Sequence, residues 1–349
     1  MECRRVANRG SVALGPRFRY PRIPGHKEVP RVGWFYRELG TGSATTDERT
    51  RPPGHMDPWM PLHVPVMLDE VVHWLDPRPG QVFVDGTLGA GGHTRALAQR
   101  VGTTGLVVAL ERDPAALAAA EQQLAGLSVK LVASDYRELP EVLKQLEMGG
   151  VDGIVLDLGL SSDQLADEGR GFSFDAAGPL DLRFDPDSGE PAWRLIERLD
   201  ETQLADVIYK YGEERHSRRI ARNIVERRRK EPIRTAAQLA EIVRRSVPRG
   251  PEARRIDPAT RTFQALRIAV NDELGALDEA LERFPQCLKP GGRFAVISFH
   301  SLEDRRVKEA FRDDPRYEVL TRKPLRPSEA EIERNPRSRS AKMRVARRV

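Results

Sequence analysis

Four short apolar runs separated by helical segments constrain this chain more than any other feature. "QVFVD" precedes "HTRALAQRV", "GLVVALE" precedes "DPAALAAAEQQLAGL", "VKLVAS" precedes "LPEVLKQLE", and "VDGIVLDLG" closes the series. Apolar runs this short, set between helical periods, read as strands of a parallel sheet whose crossover helices cover both faces. The expected fold is α/β and doubly wound. Ligands of such sheets bind outside the carboxyl ends of the strands. Those ends carry Asp85, Glu111, Asp135 with Tyr136, and Asp157.

The first strand runs into "DGTLGAGGHTR", which places Gly86, Gly89, Gly91 and Gly92 between strand and helix. A glycine turn of this kind brings backbone N–H groups and a helix N-terminus close to a ligand. A tight turn with no ligand is the plainer alternative. The order is G-x-x-G-x-G-G with an acid in front, not the G-x-G-x-x-G of a dinucleotide site. It suits a nucleoside with a charged amino-acid tail better than a pyrophosphate. Glu111, at the end of the second strand, is placed to accept hydrogen bonds from ribose hydroxyls. Its other reading, a surface carboxylate capping the next helix, is weakened because Asp113 already fills that role. Asp135 and Tyr136 are placed to frame an adenine, one taking its amine and the other packing its face.

The alternation stops at about residue 164. From there to residue 261 the sequence is polar, rich in arginine and helical in period, which reads as a helical domain inserted into the α/β one. After Thr262 the α/β pattern resumes, with "FQALRIAVNDELGALDEALERF" as one helix, "LKPGG" as a turn and "RFAVISF" as a strand. The ordered chain is expected to begin near "PLHVPVMLDEVVHWL", where Val66, Leu68, Val71, Val72 and Leu75 recur at helical spacing. Residues 1–60 are rich in Arg, Pro and Gly without a sustained period. A disordered arm, an organelle transit peptide and an over-long gene reading all fit that segment.

A net charge of +5 permits a polyanionic partner, and its distribution says more. Gly212 to Arg234 holds nine Lys/Arg against four Asp/Glu, and Arg334 to Val349 holds seven and no acid. Within the first run, Ile220 and Ile224 form a narrow apolar stripe, and Arg218, Arg222 and Arg229 share one flank of the same helix. That flank is the expected nucleic-acid contact; pairing with Glu213, Glu214 and Glu226 is the alternative. Cys3 and Cys287 are the only cysteines, so a disulfide framework and a cysteine metal cluster are excluded, and a reducing, cytoplasmic setting fits. No metal-ligand spacing stands out, and no apolar run approaches the ~18 residues of a membrane span.

The motifs "DGTLGAGGH", "ERDP", "LDLGLSSDQL", "RGFSF", "GPLDLR", "YGEER", "RTFQALRIAVNDEL", "LKPGGR", "ISFHSLEDR" and "NPRSRSAKMR" together resemble one family. It is that of the small-subunit ribosomal RNA cytosine-N4 methyltransferases, the H type of bacteria, and the likeness runs from about Leu62 to Arg344. The resemblance implies a Rossmann-like class I methyltransferase sheet with an inserted all-helical domain. Residues 61–163 and 262–349 would then bind S-adenosylmethionine, and 164–261 would meet the RNA. It further implies methylation of the exocyclic amine of a decoding-centre cytidine in 16S ribosomal RNA within the small subunit. By motif position the cofactor contacts fall on Gly91, Gly92, His93, Glu111, Tyr136, Asp157 and Gln164, joined by Asp85 from the strand-end reading. Glu111 stands where relatives often have Asp, Tyr136 where some have Phe, and the 60-residue arm has no counterpart in the family pattern.

A cytosine amine is a weak nucleophile because its lone pair is delocalised into the ring. It must be aligned with the methyl group and relieved of a proton. Asp157 is the expected reaction-facing acid, with a purely cofactor-holding role as the alternative. His300 is expected either to line the cytidine pocket or to serve the strand end structurally. Two rival readings are an NAD(P)-dependent oxidoreductase, disfavoured by the missing fingerprint, and a non-enzymatic RNA-binding factor that has kept only the fold.

Overall fold

The computed structural model describes residues 36–38, 65–160, 164–165, 167–174, 178–248 and 257–349. Its strands are β1 (Tyr36–Glu38), β2 (Val82–Asp85), β3 (Leu106–Glu111), β4 (Val129–Ala133), β5 (Val151–Asp157), β6 (Leu288–Ser298), β7 (Tyr317–Val319) and β8 (Lys342–Arg348). They form one sheet in the order β1-β4-β3-β2-β5-β6-β8-β7. Strands β2 to β6 run parallel, β1 is antiparallel to β4, and β8 is antiparallel to both of its neighbours. After the edge strand β1, the parallel strands begin at β2, wind outward through β3 and β4, then return to β5 and wind the other way. The order therefore reverses between β2 and β5, and a crevice opens above their carboxyl ends.

Strand alternation sorts the core into two faces. Val84, Val108, Leu110, Ile154, Leu156, Phe294 and Val296 lie on one face, under α4 (Leu139–Gln145), α10 (Glu273–Arg283) and α11 (Ser301–Asp313). Phe83, Val107, Ala109, Val155, Ala295 and Ile297 lie on the other, under α1 (Leu68–Leu75), α2 (Gly92–Val101) and α3 (Pro114–Gln123). Each fully buried large side chain contributes roughly 1.5–3 kcal/mol. Phe294 is completely buried and meets Phe284, Phe311 and Tyr317 at ring-centroid distances of 5.3, 5.5 and 6.3 Å.

The polar, arginine-rich segment forms α5 (Ala192–Arg198), α6 (Glu201–Gly212), α7 (Ser217–Lys230), α8 (Ala236–Ser246) and α9 (Ala259–Asn271). Capping boxes start α6 (Asp200 with Gln203) and α8 (Thr235 with Gln238). The α7 stripe is wider than the sequence suggested: Ala221 and Val225 are buried beside Ile220 and Ile224. The segment expected as one helix from Phe263 to Phe284 is two. Asp272, at a left-handed φ of 52°, separates α9 from α10. Apolar periodicity runs through the break, since Ile268 and Leu274 are both buried, so the pattern alone conceals it. The two pieces also belong to different layers. Helix α9 packs on α5, α6 and α8, whereas α10 packs on α11 and the turn at Tyr136. Residues 31–349 make one compact unit, so these helices are not a separate body. Strand β1 falls inside the segment read as an arm, where three residues at a sheet edge carry too little pattern to recognise. The alternatives weighed for the rest of residues 1–60 lie outside the described residues.

Candidate active site

A cavity opens at the switch point, with about 1220 Å³ of empty space including its mouth. Its walls come from the glycine turn after β2 and from the ends of β3, β4 and β5. Of the residues expected to hold a cofactor, Gly92, His93, Glu111, Tyr136, Asp157 and Gln164 line it, and Asp85 and Gly91 do not. Asp85 is 1 % exposed and lies beneath the turn. Its oxygens accept from the Thr87 N–H at 3.1 Å and the Thr94 hydroxyl at 2.7 Å, tying both ends of the turn together. Gly91 turns the chain into α2 at a φ of 76°, and its N–H donates to the Leu88 carbonyl. Gly92 is small for another reason: a Cβ there would lie 2.3 Å from Cγ of Pro65.

Glu111 gathers three backbone donors. One oxygen accepts from Gly89 N–H at 2.9 Å, the other from Arg112 and Asp113 N–H at 2.9 and 3.0 Å. It fastens the glycine turn to the end of β3 and keeps acceptor capacity facing the cavity. Burial pushes its carboxyl above the usual range, and the three N–H groups oppose that. Asp113 caps α3 through the Ala115 N–H and also takes Arg170 at 2.6 Å. Asp135 departs from the expected adenine contact. Its carboxylate is consumed by Arg112 at 3.1 Å and Arg137 at 3.2 Å and does not line the cavity, while Tyr136 and Ser134 do.

Asp157 ends β5, and its N–H donates to the Thr87 hydroxyl at 2.6 Å. Its Oδ1 is buried without a hydrogen-bond partner, and Oδ2 stands 3.8 Å from Nδ1 of His93. Burial, then the charges of Asp85, Glu303 and Glu331, raise the Asp157 carboxyl well above its ordinary value. Burial holds His93 below the usual imidazole value despite Asp85 nearby, and its Nε2 bonds to the Val66 carbonyl at 3.0 Å. The pair is therefore a neutral imidazole behind an acid that ionises late.

His300 does not line the cavity. It caps α11 through Nδ1, which accepts from the Glu303 N–H at 3.4 Å, with Nε2 3.1 Å from the Glu303 carboxylate. Its neighbours Phe299 and Glu303 are the lining residues. Glu273, His300 and Glu303 bring their ligating atoms within 4.8 Å of one another, but the charges are matched internally. Arg267 holds Glu273 at 2.8 and 2.9 Å, and Glu303 accepts from the Phe299 N–H at 2.8 Å. Sequence reasoning also missed Phe184, Glu273, Asn335 and Arg337 in the wall. Glu273 lies in "RTFQALRIAVNDEL", Asn335 and Arg337 lie in "NPRSRSAKMR", and Phe184 directly follows "GPLDLR", so the motifs were the signal that pointed there. On α7, Arg218, Arg222 and Arg229 are all exposed. Arg222 lies 3.5 Å from Glu201, and among the described residues Arg218 and Arg229 have no carboxylate partner. Glu213 and Glu214 turn elsewhere, to Arg305 and Arg261.

The donors fit a nucleoside bearing an amino-acid tail and a positive centre. The start of α2 lines the cavity with N–H groups that lack intrahelical acceptors. Glu111 stands at the end of β3, Tyr136 follows β4, and the Oδ1 of Asp157 is a buried acceptor without a hydrogen-bond partner. Residues 60–349 match the MraW methylase family. Two relatives are described as ribosomal RNA small subunit methyltransferase H. That of Deinococcus radiodurans is 53% identical over 288 residues, covering 82% of this chain and 90% of its own. That of Rhodopirellula baltica is 51% identical over 298 residues, covering 82% and 91%. With the match spanning sheet, insertion and C-terminal strand alike, the chain belongs to the MraW methylase family.

Proposed function

We propose that this protein is an S-adenosylmethionine-dependent methyltransferase of small-subunit ribosomal RNA, acting in the cytoplasm on the N4 amine of a decoding-centre cytidine. The observation that carries the reading is the buried, unpartnered Oδ1 of Asp157 on the wall of a cavity that Glu111, Tyr136 and the start of α2 also line. S-adenosylmethionine, when bound, supplies an electrophilic methyl group on a sulfonium centre. Glu111 is assigned to the ribose hydroxyls, Tyr136 to the adenine face, and Gly92 and His93 to the tail carboxylate. Gln164, which also lines the cavity, completes the set.

Asp157 is assigned two tasks at one atom. As a carboxylate, Oδ1 accepts a hydrogen bond from the cytosine amine and favours the pyramidal nitrogen that can attack. After transfer the amine's surplus proton passes to Oδ1, which the raised affinity of this carboxyl for protons favours. His93, kept neutral by burial and held in orientation by the Val66 carbonyl, stands beside Asp157 without neutralising it. The nearby acids that raise the Asp157 carboxyl thus make it a better proton acceptor. Arg218, Arg222 and Arg229 are assigned to RNA phosphates, and His300 to fixing Phe299 and Glu303 at the edge of the cavity. The test is tritium-methyl transfer to undermethylated small subunits with the product nucleoside identified. N4-methylated cytidine supports the reading; label on another nucleoside, or none, removes it.

A further inference from the structure

A second hollow lies on the helical segment, away from the cavity walls described above. It is lined by Trp193 and Ile196 of α5, Arg228 and Arg229 of α7, and Ile233 and Arg234 of the link to α8. The Arg234 guanidinium stands 4.0 Å from the Trp193 ring centroid and that of Arg194 stands 5.0 Å from it. Glu197 is the one acid among the lining residues, and Arg234 takes it at 3.2 Å. Arg194 and Arg229 are exposed and, among the described residues, have no carboxylate partner. Arg228 donates to the Ile196 carbonyl, and burial together with Arg229 pushes its guanidinium below the usual value. Four arginines against one acid, beside an indole, suit a phosphodiester with an adjacent base, since every base offers a stacking face.

The hollow is also wired to the cavity. Leu180 donates to the Arg234 carbonyl at 2.8 Å and accepts from the Trp193 N–H at 2.9 Å. Four residues on, Phe184 lines the cavity, its N–H held by the Asn271 side chain at 2.8 Å. A four-residue strap spans at most about 14 Å. That is the reach of a few nucleotides of single-stranded RNA.

We propose that the Trp193 hollow is a second RNA contact, gripping the backbone and one base of the substrate strand a few nucleotides from the base held in the cavity. The inference rests on the reading of the protein as an RNA methyltransferase. The hollow shares Arg229 with the Arg218–Arg222 flank, so Trp193→Leu, which leaves that flank whole, tells the two apart, and wild-type binding in it would overturn the hollow. Its test uses the full chain and a fluorescein-labelled 12-residue oligouridylate, titrated at several salt concentrations. The double variant Arg194→Glu with Arg229→Glu should bind about tenfold more weakly near physiological salt and lose about 1.4 from the slope of log K against log salt. Trp193→Leu should weaken binding with the slope intact, because it removes stacking and no charge. Arg312→Glu, on α11 and paired with Asp313 at 2.6 Å, makes the same kind of charge reversal elsewhere and should match wild type. Wild-type affinity and slope in the double variant, or an equal loss in Arg312→Glu, would overturn the proposal. Methyl transfer to small subunits is measured separately, so failure of the activity and failure of the hollow give different results.

Discussion

At the scale of single residues, Glu111 and Asp157 make opposite demands on a substitution. Glu111 satisfies three N–H donors with two oxygens. Glu111→Gln replaces one acceptor with a donor, so it either frees the glycine turn or crowds the start of α3. Charge-assisted bonds of this kind are worth roughly 1.5–3 kcal/mol, so S-adenosylhomocysteine affinity by calorimetry should fall about ten- to a hundredfold. An unchanged dissociation constant would remove Glu111 from the site. Asp157→Asn should abolish turnover while cofactor affinity drops only modestly; parallel losses would make Asp157 a cofactor ligand alone. The sign of its stability effect follows from its raised carboxyl. The native state holds that proton longer than the unfolded chain does, so stability falls as pH rises from the ordinary aspartate range through the folded value. Above that value the penalty is constant. Asp157→Asn lacks it, so the variant should melt higher than wild type at about pH 7.5 and converge with it in acid.

At the scale of elements, the turn after β2 is fixed by what presses on it. Gly92→Ala would place its Cβ against Pro65, and overpacking of this kind costs roughly 1–3 kcal/mol. The melting temperature and S-adenosylhomocysteine affinity should fall together. Gly149→Ala, where a Cβ meets nothing within 4 Å, should leave both unchanged. Equal behaviour of the two variants would separate the turn from the proline. Much of this was legible in the sequence. Strands β2 to β5 announced themselves because buried parallel strands are short apolar runs, and the strand-end acids followed from the same pattern. Strand β6 did so only in part, since the "LKPGG" stretch expected as a turn is its first half, joined to β5 across a register shift. The roles of those acids did not. Asp85 and Asp135 sit where a ligand contact was expected, yet their oxygens are spent on Thr94 and on Arg112 and Arg137. A sequence shows that a carboxylate stands at a strand end, but not which neighbour claims it. The break at Asp272 was hidden likewise, because a left-handed residue need not interrupt apolar spacing.

At the scale of the whole molecule, positive charge is distributed unevenly enough to be tested as a surface property. Replacing Arg218, Arg222 and Arg229 by Ala should flatten the slope of log K for small-subunit RNA against log salt by about two units. Cofactor affinity and melting temperature should hardly change, since all three side chains are exposed and, among the described residues, Arg222 alone carries an ion pair, at 3.5 Å. A slope equal to wild type would assign this flank to solvent. Among the described residues no helix is long and apolar enough to cross a membrane.

The cavity wall joins Pro65 and Val66, ahead of the first helix, to Asn335 and Arg337, just before the last strand. The two ends are also tied directly, the Met67 N–H donating to the Glu331 carboxylate at 2.7 Å. During synthesis the glycine turn and β5 leave the ribosome long before residues 331–337 exist to meet them. Completion of the cavity wall therefore waits on residues 331–337. A chain cut before them would leave a gap in that wall, and would also lose β8, whose Met343, Val345 and Ala346 are buried in the core.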